Sequence, residues 1–350
     1  MIKKERDPFI DCMRGLAILL VVLGHSIQFG NGSVYLDSGA FFENIVFKVI
    51  YGFHMPLFMV ISGYLFWRTI DRKSIGDLLK SRLLGLLLPI IVWGIVDFLI
   101  RFALLHTISI HDPISLAKKL VGSSIGNLWF LWAVFFNSLL VILIYKYLRN
   151  SLFAYLAFGI LMLITPDSHN FGDYKFMFPF FVFPFLIGKT DLRAWFKKRN
   201  ILELSVMTMF TLALYVIAMY YWKSDYYIYT TGITILDKRY IDQLLIDIVR
   251  WGVGFIGLIL VFSLFHIIEK TVPFFFKKLG LDMIGKRSLA IYILSGFCFT
   301  YFVPQLTHSL QFNWINVLLI SIVVSIVTLI ISIGITRSRV LNLVLLGGRS

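Results

Sequence analysis

The chain has 350 residues, 59% of them hydrophobic and only 15% charged, with a mean hydropathy of +0.84. Water-soluble domains of that total length carry far more charge, so the composition excludes them and describes a polytopic membrane protein. A net charge of +14 invites a nucleic-acid reading, but the 33 Lys and Arg lie between apolar runs and form no stripe with interleaved aromatics, so no nucleic acid is expected and the charge reads as membrane orientation.

A spanning helix takes about 20 mostly apolar residues. The apolar runs predict ten spans, at 10–29, 44–66, 83–105, 128–148, 151–165, 176–189, 202–222, 247–268, 283–303 and 314–336. The expected fold is an all-α, polytopic transmembrane helix bundle, one domain over 1–350 with no appended soluble domain. The first run begins with basic residues, as a signal peptide does, but Arg14 interrupts it and no small-x-small cleavage site follows, so it reads as an uncleaved span. The fifth and sixth runs are short, and the sixth holds Pro179 and Pro184, which predicts a kinked helix. Cys12 and Cys298 read as small buried residues, not a disulfide framework. No internal repeat is visible.

Cytoplasmic loops retain Lys and Arg. One alternate set of loops holds 23 cations, from Lys3, Lys4 and Arg6 through Arg68 to Arg82, Lys189 to Arg199 and Lys270 to Arg287 to Arg349, whereas the other set holds six: Lys118, Lys119, Lys175, Lys223, Lys238 and Arg239. Both termini are therefore expected in the cytoplasm. Four cations, Arg14, Lys48, Arg101 and Arg250, fall inside spans.

An ionisable side chain near the centre of a spanning helix costs at least ~2.5 kcal/mol, which makes each one a functional candidate. On the first span Arg14 and His25 are eleven residues apart, three turns plus about 20°, so they point the same way from depths roughly 16 Å apart. Asp11 stands three residues before Arg14 and can pair with it. Taken singly, Arg14 is a cation snorkelling to the interface and His25 a hydrogen-bonded core histidine; together on one face, with Gly15 and Gly24 permitting close helix approach, they suggest a site. On the second span Pro56 frees the Gly52 carbonyl and predicts a kink near His54, at a depth comparable with His25. His54 either satisfies that backbone or joins His25.

The pattern Asp11-x-x-Arg14-Gly15, the interval to His25-Ser26, and Phe53-His54-Met55-Pro56-Leu57-Phe58 with Ser62-Gly63-Tyr64 resemble the integral-membrane acyltransferase type 3 family. Leu128 to Trp132 and Phe180 to Gly188 look like further family segments, so the resemblance covers nearly the whole chain. It implies about ten spans and O-acetylation of carbohydrates, commonly bacterial surface glycans, with cytoplasmic acetyl-CoA as donor substrate and no permanently bound cofactor. Carried over by position, it makes His25 the essential histidine and Arg14 its basic partner; spacing and depth put Asp11 and His54 with them in the catalytic set, and because acetyl-CoA is polyanionic its phosphates are expected on the cytoplasmic basic loop from Arg68 to Arg82, with Tyr64 and Trp129 also in substrate binding. Its partners are acetyl-CoA, a surface or lipid-linked sugar and membrane lipid, and its place is the bacterial inner membrane. Two departures stand out. Ser295 occupies a position where family segments often carry histidine, and Gly85 stands where a second arginine would follow Arg82.

No phosphate-binding Gly-rich loop or His-Glu-x-x-His is present, and the seven histidines are too scattered for a metal site. His25 is read as a general base on a sugar hydroxyl or as an acetyl relay, both open. Asn127, Trp129 and Trp132 also suit an aromatic belt at the outer interface. The segment 223–246, with Tyr226, Tyr227, Tyr229, Thr230, Thr231 and Tyr240, suits stacking on sugars or simply an interfacial loop. A transporter or flippase without transfer chemistry fits the intramembrane charges and broken helices, although the inverted repeat that such folds use is not seen; a sensor or scaffold leaves the Arg–His face without purpose.

Overall fold

With no water in hydrocarbon to satisfy backbone groups, an apolar run must close its hydrogen bonds internally, and the chain does so as helices. The computed structural model describes residues 7–108, 112–126, 128–168, 170–188, 191–236 and 240–348, and these are helices, turns and loops with no strand among them. The cations Lys3, Lys4, Arg6, Lys189, Lys238, Arg239 and Arg349, and Asn127, lie outside the described residues.

The helices used below are α1 (Pro8–Phe29), α2 (Ile45–Tyr51), α3 (His54–Ile70), α4 (Ile75–Leu104), α5 (Pro113–Gly126), α6 (Trp129–Tyr147), α7 (Leu152–Ile164), α8 (Phe171–Leu186), α9 (Ile201–Tyr220), α10 (Tyr240–Thr271), α11 (Leu281–Lys286), α12 (Ser288–Thr307), α13 (Trp314–Arg337) and α14 (Arg339–Leu346). Among the described residues eight stretches are long and apolar enough to cross a membrane: α1, α2 with α3, α4, α6, α9, α10, α12 and α13. The protein is therefore an all-α polytopic helix bundle. The fifth and sixth predicted spans appear as α7 and α8, of 13 and 16 residues.

Helix starts follow the polar punctuation of the sequence. Asp7 accepts from the amide of Phe9 ahead of Pro8, Asn44 from Val46 and Phe47, Ser74 from Asp77 and Ser151 from Ala154; Asn200 and Glu203 form a reciprocal capping box. Two differences from the predicted spans have physical causes. The second span breaks at Gly52–Phe53, ahead of Pro56, because proline offers no amide to the Gly52 carbonyl and the chain restarts at His54. The third extends back to Ile75 through a wide π-helical turn at Leu83–Leu87, joining the basic segment to the apolar one. The Pro-containing α8, by contrast, stays continuous through Pro179 and Pro184.

The chain divides into two compact units. The first comprises Met1–Ile61, Ile187–Thr231 and Leu244–Ile333; the second comprises Ser62–Leu186, Gly232–Gln243 and Gly334–Ser350. Within the first, α11 lies along α1, and glycine sets the spacing: a Cβ on Gly15 would collide with the Leu281 carbonyl, and one on Gly285 with the Asp11 carbonyl. Phe9 packs against Phe262 and Phe265 of α10 at that end of α1. Within the second, α6 packs on α8, and Gly63 of α3 meets the Phe181 carbonyl of α8 so closely that no side chain fits.

Candidate functional site

The expected catalytic residues all belong to the first unit. Asp11 is buried and its carboxylate stands 3.7 Å from the half-buried guanidinium of Arg14, the pair that the three-residue spacing predicts. Eleven residues on, His25 is also half-buried. Its Nδ1 lies 3.0 Å from the Val21 carbonyl one turn back, so Nδ1 carries the proton and Nε2 is the basic nitrogen. The rings of Phe29 and Phe299 stand 5.8 and 5.5 Å away, which orients the imidazole by packing as well as by that hydrogen bond.

His54 opens α3 and is buried. Its Nδ1–H donates to the Ile50 carbonyl at 2.7 Å across the Gly52–Phe53 break, so it serves the interrupted backbone, and the same hydrogen bond leaves Nε2 as its basic nitrogen. The two imidazoles lie within electrostatic reach of each other. Gly24 is what brings their helices together: a Cβ there would stand 2.8 Å from the Tyr51 ring, and that ring is 4.8 Å from the His54 ring. Four residues predicted to form one group are thus two local arrangements on α1, an ion pair and a histidine, with His54 joined to the latter.

The expected substrate-binding residues belong to the second unit. Arg68 sits over the Tyr64 ring at 5.6 Å, and Arg82 over the Phe66 ring at 4.4 Å, so three of the four gather on the last two turns of α3 and the end of the basic segment. Trp129 does not join them. It opens α6, whereas Tyr145 near the other end of α6 donates to Asp71, three residues after Arg68, and the sixteen steps from Trp129 to Tyr145 span about 24 Å. Gly85 is buried, and a Cβ on Gly347, at the end of α14, would collide with its Cα. Ser295 is buried, its hydroxyl donating to the Tyr292 carbonyl.

Two buried cations carry more structure than their places in the sequence suggest. Arg250, 1% exposed, bonds Asp247 at 2.8 Å and donates to the carbonyls of Asp225, Tyr226 and Tyr227 at 2.8, 2.8 and 2.9 Å and to the Thr231 hydroxyl. Lys175 bonds the Asp167 carboxylate at 2.8 Å and the Thr165 carbonyl, while Asp167 accepts the amides of Ile233 and Thr234 at 2.6 and 3.0 Å. The first had a legible signal, because Asp247-x-x-Arg250 repeats the spacing of Asp11-x-x-Arg14. The second had none, since Asp167 and Lys175 flank the start of a helix. Of the aromatic segment 223–246, Tyr227 is buried with its hydroxyl donating to the Phe42 carbonyl, whereas Tyr229 and Tyr240 are exposed.

Residues 7–337 match the family model described as an acyltransferase domain. A nodulation protein NolL from Sinorhizobium fredii is 29% identical over 313 residues, covering 88% of this chain and 81% of the relative. A nodulation protein NolL from Mesorhizobium japonicum is 33% identical over 189 residues, covering 53% and 48%. No solved structure matches the chain.

Proposed function

Since this chain belongs to the integral-membrane acyltransferase type 3 family, it is a membrane acyltransferase, and we propose that it moves an acetyl group from cytoplasmic acetyl-CoA to a hydroxyl of a surface or lipid-linked carbohydrate at the bacterial inner membrane. The observation that carries the proposal is the fixed tautomer of His25: with Nδ1–H held by the Val21 carbonyl, Nε2 offers a lone pair from the last two turns of a spanning helix. A base at neutral pH needs that neutral imidazole.

In the direct form of the reaction Nε2 takes the proton as the acceptor hydroxyl attacks the thioester carbonyl carbon. The C–S bond then breaks and the proton passes to the departing CoA sulfur. Arg14, aligned by Asp11, suits the thioester carbonyl or a phosphate because a guanidinium offers two parallel donors. Arg68 and Arg82 suit the nucleotide phosphates, each guanidinium being held over an aromatic ring. His54, bound to its own backbone, is assigned a supporting part.

The test is acetyl transfer by purified protein. His25→Ala should abolish transfer while folding and expression persist, and His54→Ala should weaken it less. Wild-type turnover in a folded His25→Ala protein would end the assignment. Absence of any acetyl-CoA consumption by the wild type would end the donor reading.

A further inference from the structure

The Arg250 clamp holds a segment whose aromatic rings form a connected series. Tyr229 is 56% exposed, yet its ring is not loose: it lies near-parallel to Tyr227 (6.2 Å, 15°) and to Phe42 (6.4 Å, 28°) and edge-on to Tyr51 at 6.2 Å. Tyr51 stacks on Phe47 at 3.8 Å and reaches the His54 ring at 4.8 Å, beside Gly24 and so next in sequence to His25. The series thus runs from an exposed ring to the His54 ring and to Gly24, the neighbour of His25, inside one unit. Glu43, next to Phe42, is exposed, with its carboxylate held by Lys48 at 2.7 Å.

A tyrosine of an interfacial belt needs no such support, since lipid and its own helix hold it. Here a fully desolvated guanidinium and carboxylate are spent on fixing three successive carbonyls and a hydroxyl of the loop 225–231. Removing two charges from water makes such a pair a poor source of stability, so its use is geometric: it sets where the rings of Tyr227 and Tyr229 lie. A rigid exposed ring stacked on Phe42, whose chain neighbour Glu43 carries an exposed carboxylate, matches a pyranose, which offers an apolar C–H face for stacking and hydroxyls for an acceptor oxygen.

We propose that the loop 225–231 is the acceptor-recognition element, with Tyr229 the face on which a sugar ring stacks, Glu43 an acceptor for its hydroxyls, and Arg250 the positioning residue that holds the loop. This rests on the acceptor being a carbohydrate, as proposed above. Tyr227, buried and bonded to Phe42, is support and not contact.

The experiment uses the full chain in lipid nanodiscs with acetyl-CoA and octyl β-glycosides of glucose, galactose, mannose and N-acetylglucosamine as probes, scoring ester product and free CoA. Tyr229→Ala should raise the KM for the accepted glycoside on the order of tenfold, the effect of one stacked ring, with the KM for acetyl-CoA unmoved. Tyr229→Phe should stay near wild type because the ring face remains. Arg250→Lys should raise the glycoside KM in the same direction, again with the acetyl-CoA KM unmoved; because that buried variant is prone to unfold, the exposed Tyr229 carries the decision. If the wild type acetylates a glycoside and Tyr229→Ala leaves its KM unchanged, this proposal is overturned, the acetyltransferase reading stands and Tyr229 is a lipid-interface residue. If the wild type consumes acetyl-CoA but esterifies no glycoside, the carbohydrate acceptor fails and this proposal with it. If it consumes no acetyl-CoA, the donor reading fails first.

Discussion

Lys175 is 2% exposed in the second turn of α8, a position where a lone ammonium would be untenable, and its ion pair with Asp167 decides how the segment around Thr234 is held. Burial works against the charge of Asp167, but the Lys175 ammonium and the amides of Ile233 and Thr234 outweigh it and hold the carboxyl below the usual carboxylate range. A carboxylate depressed in the folded state contributes stability above its unfolded value of about 3.9, and loses it as the pH falls through that value and then the folded one. Wild-type melting temperature in detergent should therefore drop on acidification below about pH 5. Asp167→Asn should cost on the order of 3 kcal/mol at neutral pH, since it strands Lys175, and should flatten that acid limb. An unchanged acid limb in the variant would show that other carboxylates set it. Residue identity made the local pairs legible, Asp11 with Arg14 above all, because three or four residues on a helix share a face. It hid the acceptors that loops supply, since any residue's carbonyl serves, and so Arg250 read only as one cation among four inside spans.

Elements were legible wherever an apolar run ended in a cap, as at Pro8, Ile201 and Trp314. They were less so where polar groups within a helix found partners, and α10 begins at Tyr240, well ahead of the predicted 247, because Asp247 and Arg250 satisfy each other and the adjoining loop. Contact between elements is written in small residues. Gly15 and Gly24 were readable as close-approach positions on α1; Gly285, which completes the contact with α11, lay at the edge of a predicted span and gave no such sign. The two α1 glycines should nevertheless respond differently. A Cβ at Gly15 meets backbone of Leu281, which can yield only if α11 moves, whereas one at Gly24 meets the outer edge of the Tyr51 ring, which can turn. Gly15→Ala should cost about 3 kcal/mol, the upper end for overpacking, and should disturb Arg14 next to it. Gly24→Ala should cost less in melting temperature, and because it displaces the ring beside His54 its loss should fall on transfer. Equal melting temperatures for Gly15→Ala and wild type would mean that α11 does not press on α1.

At the scale of the whole chain the open quantity is the number of crossings, and two short helices decide it. At 1.5 Å per residue α7 covers about 20 Å and α8 about 24 Å, both less than a hydrocarbon core near 30 Å, so length alone makes them doubtful spans. Direction argues otherwise. Phe136 meets Tyr174, and Tyr145 meets Phe185, so α6 and α8 run parallel, and α7 must carry the chain back between them. The backbone at Ile233 and Thr234 then returns to Asp167, ahead of α8, after passing through α8 and α9; a return to the same level takes an even number of crossings, and α9 is long enough to be one. Both short helices are therefore expected to cross, shortened by local thinning of the bilayer or by their neighbours, which gives ten spans and agrees in parity with the 23-to-6 division of Lys and Arg. Single cysteines at Ser33, Ser74 and Ser168 test this in sealed cells with a membrane-impermeant maleimide. Ser33 and Ser168 should label from outside and Ser74 only after the membrane is opened. A cysteine at Ser168 that behaves like the one at Ser74 would make α7 and α8 re-entrant and reduce the crossings to eight. Labelling of Ser74 from outside would invert the protein, moving Arg68 and Arg82 away from the compartment that holds acetyl-CoA, and the proposed donor chemistry would have no substrate on that side.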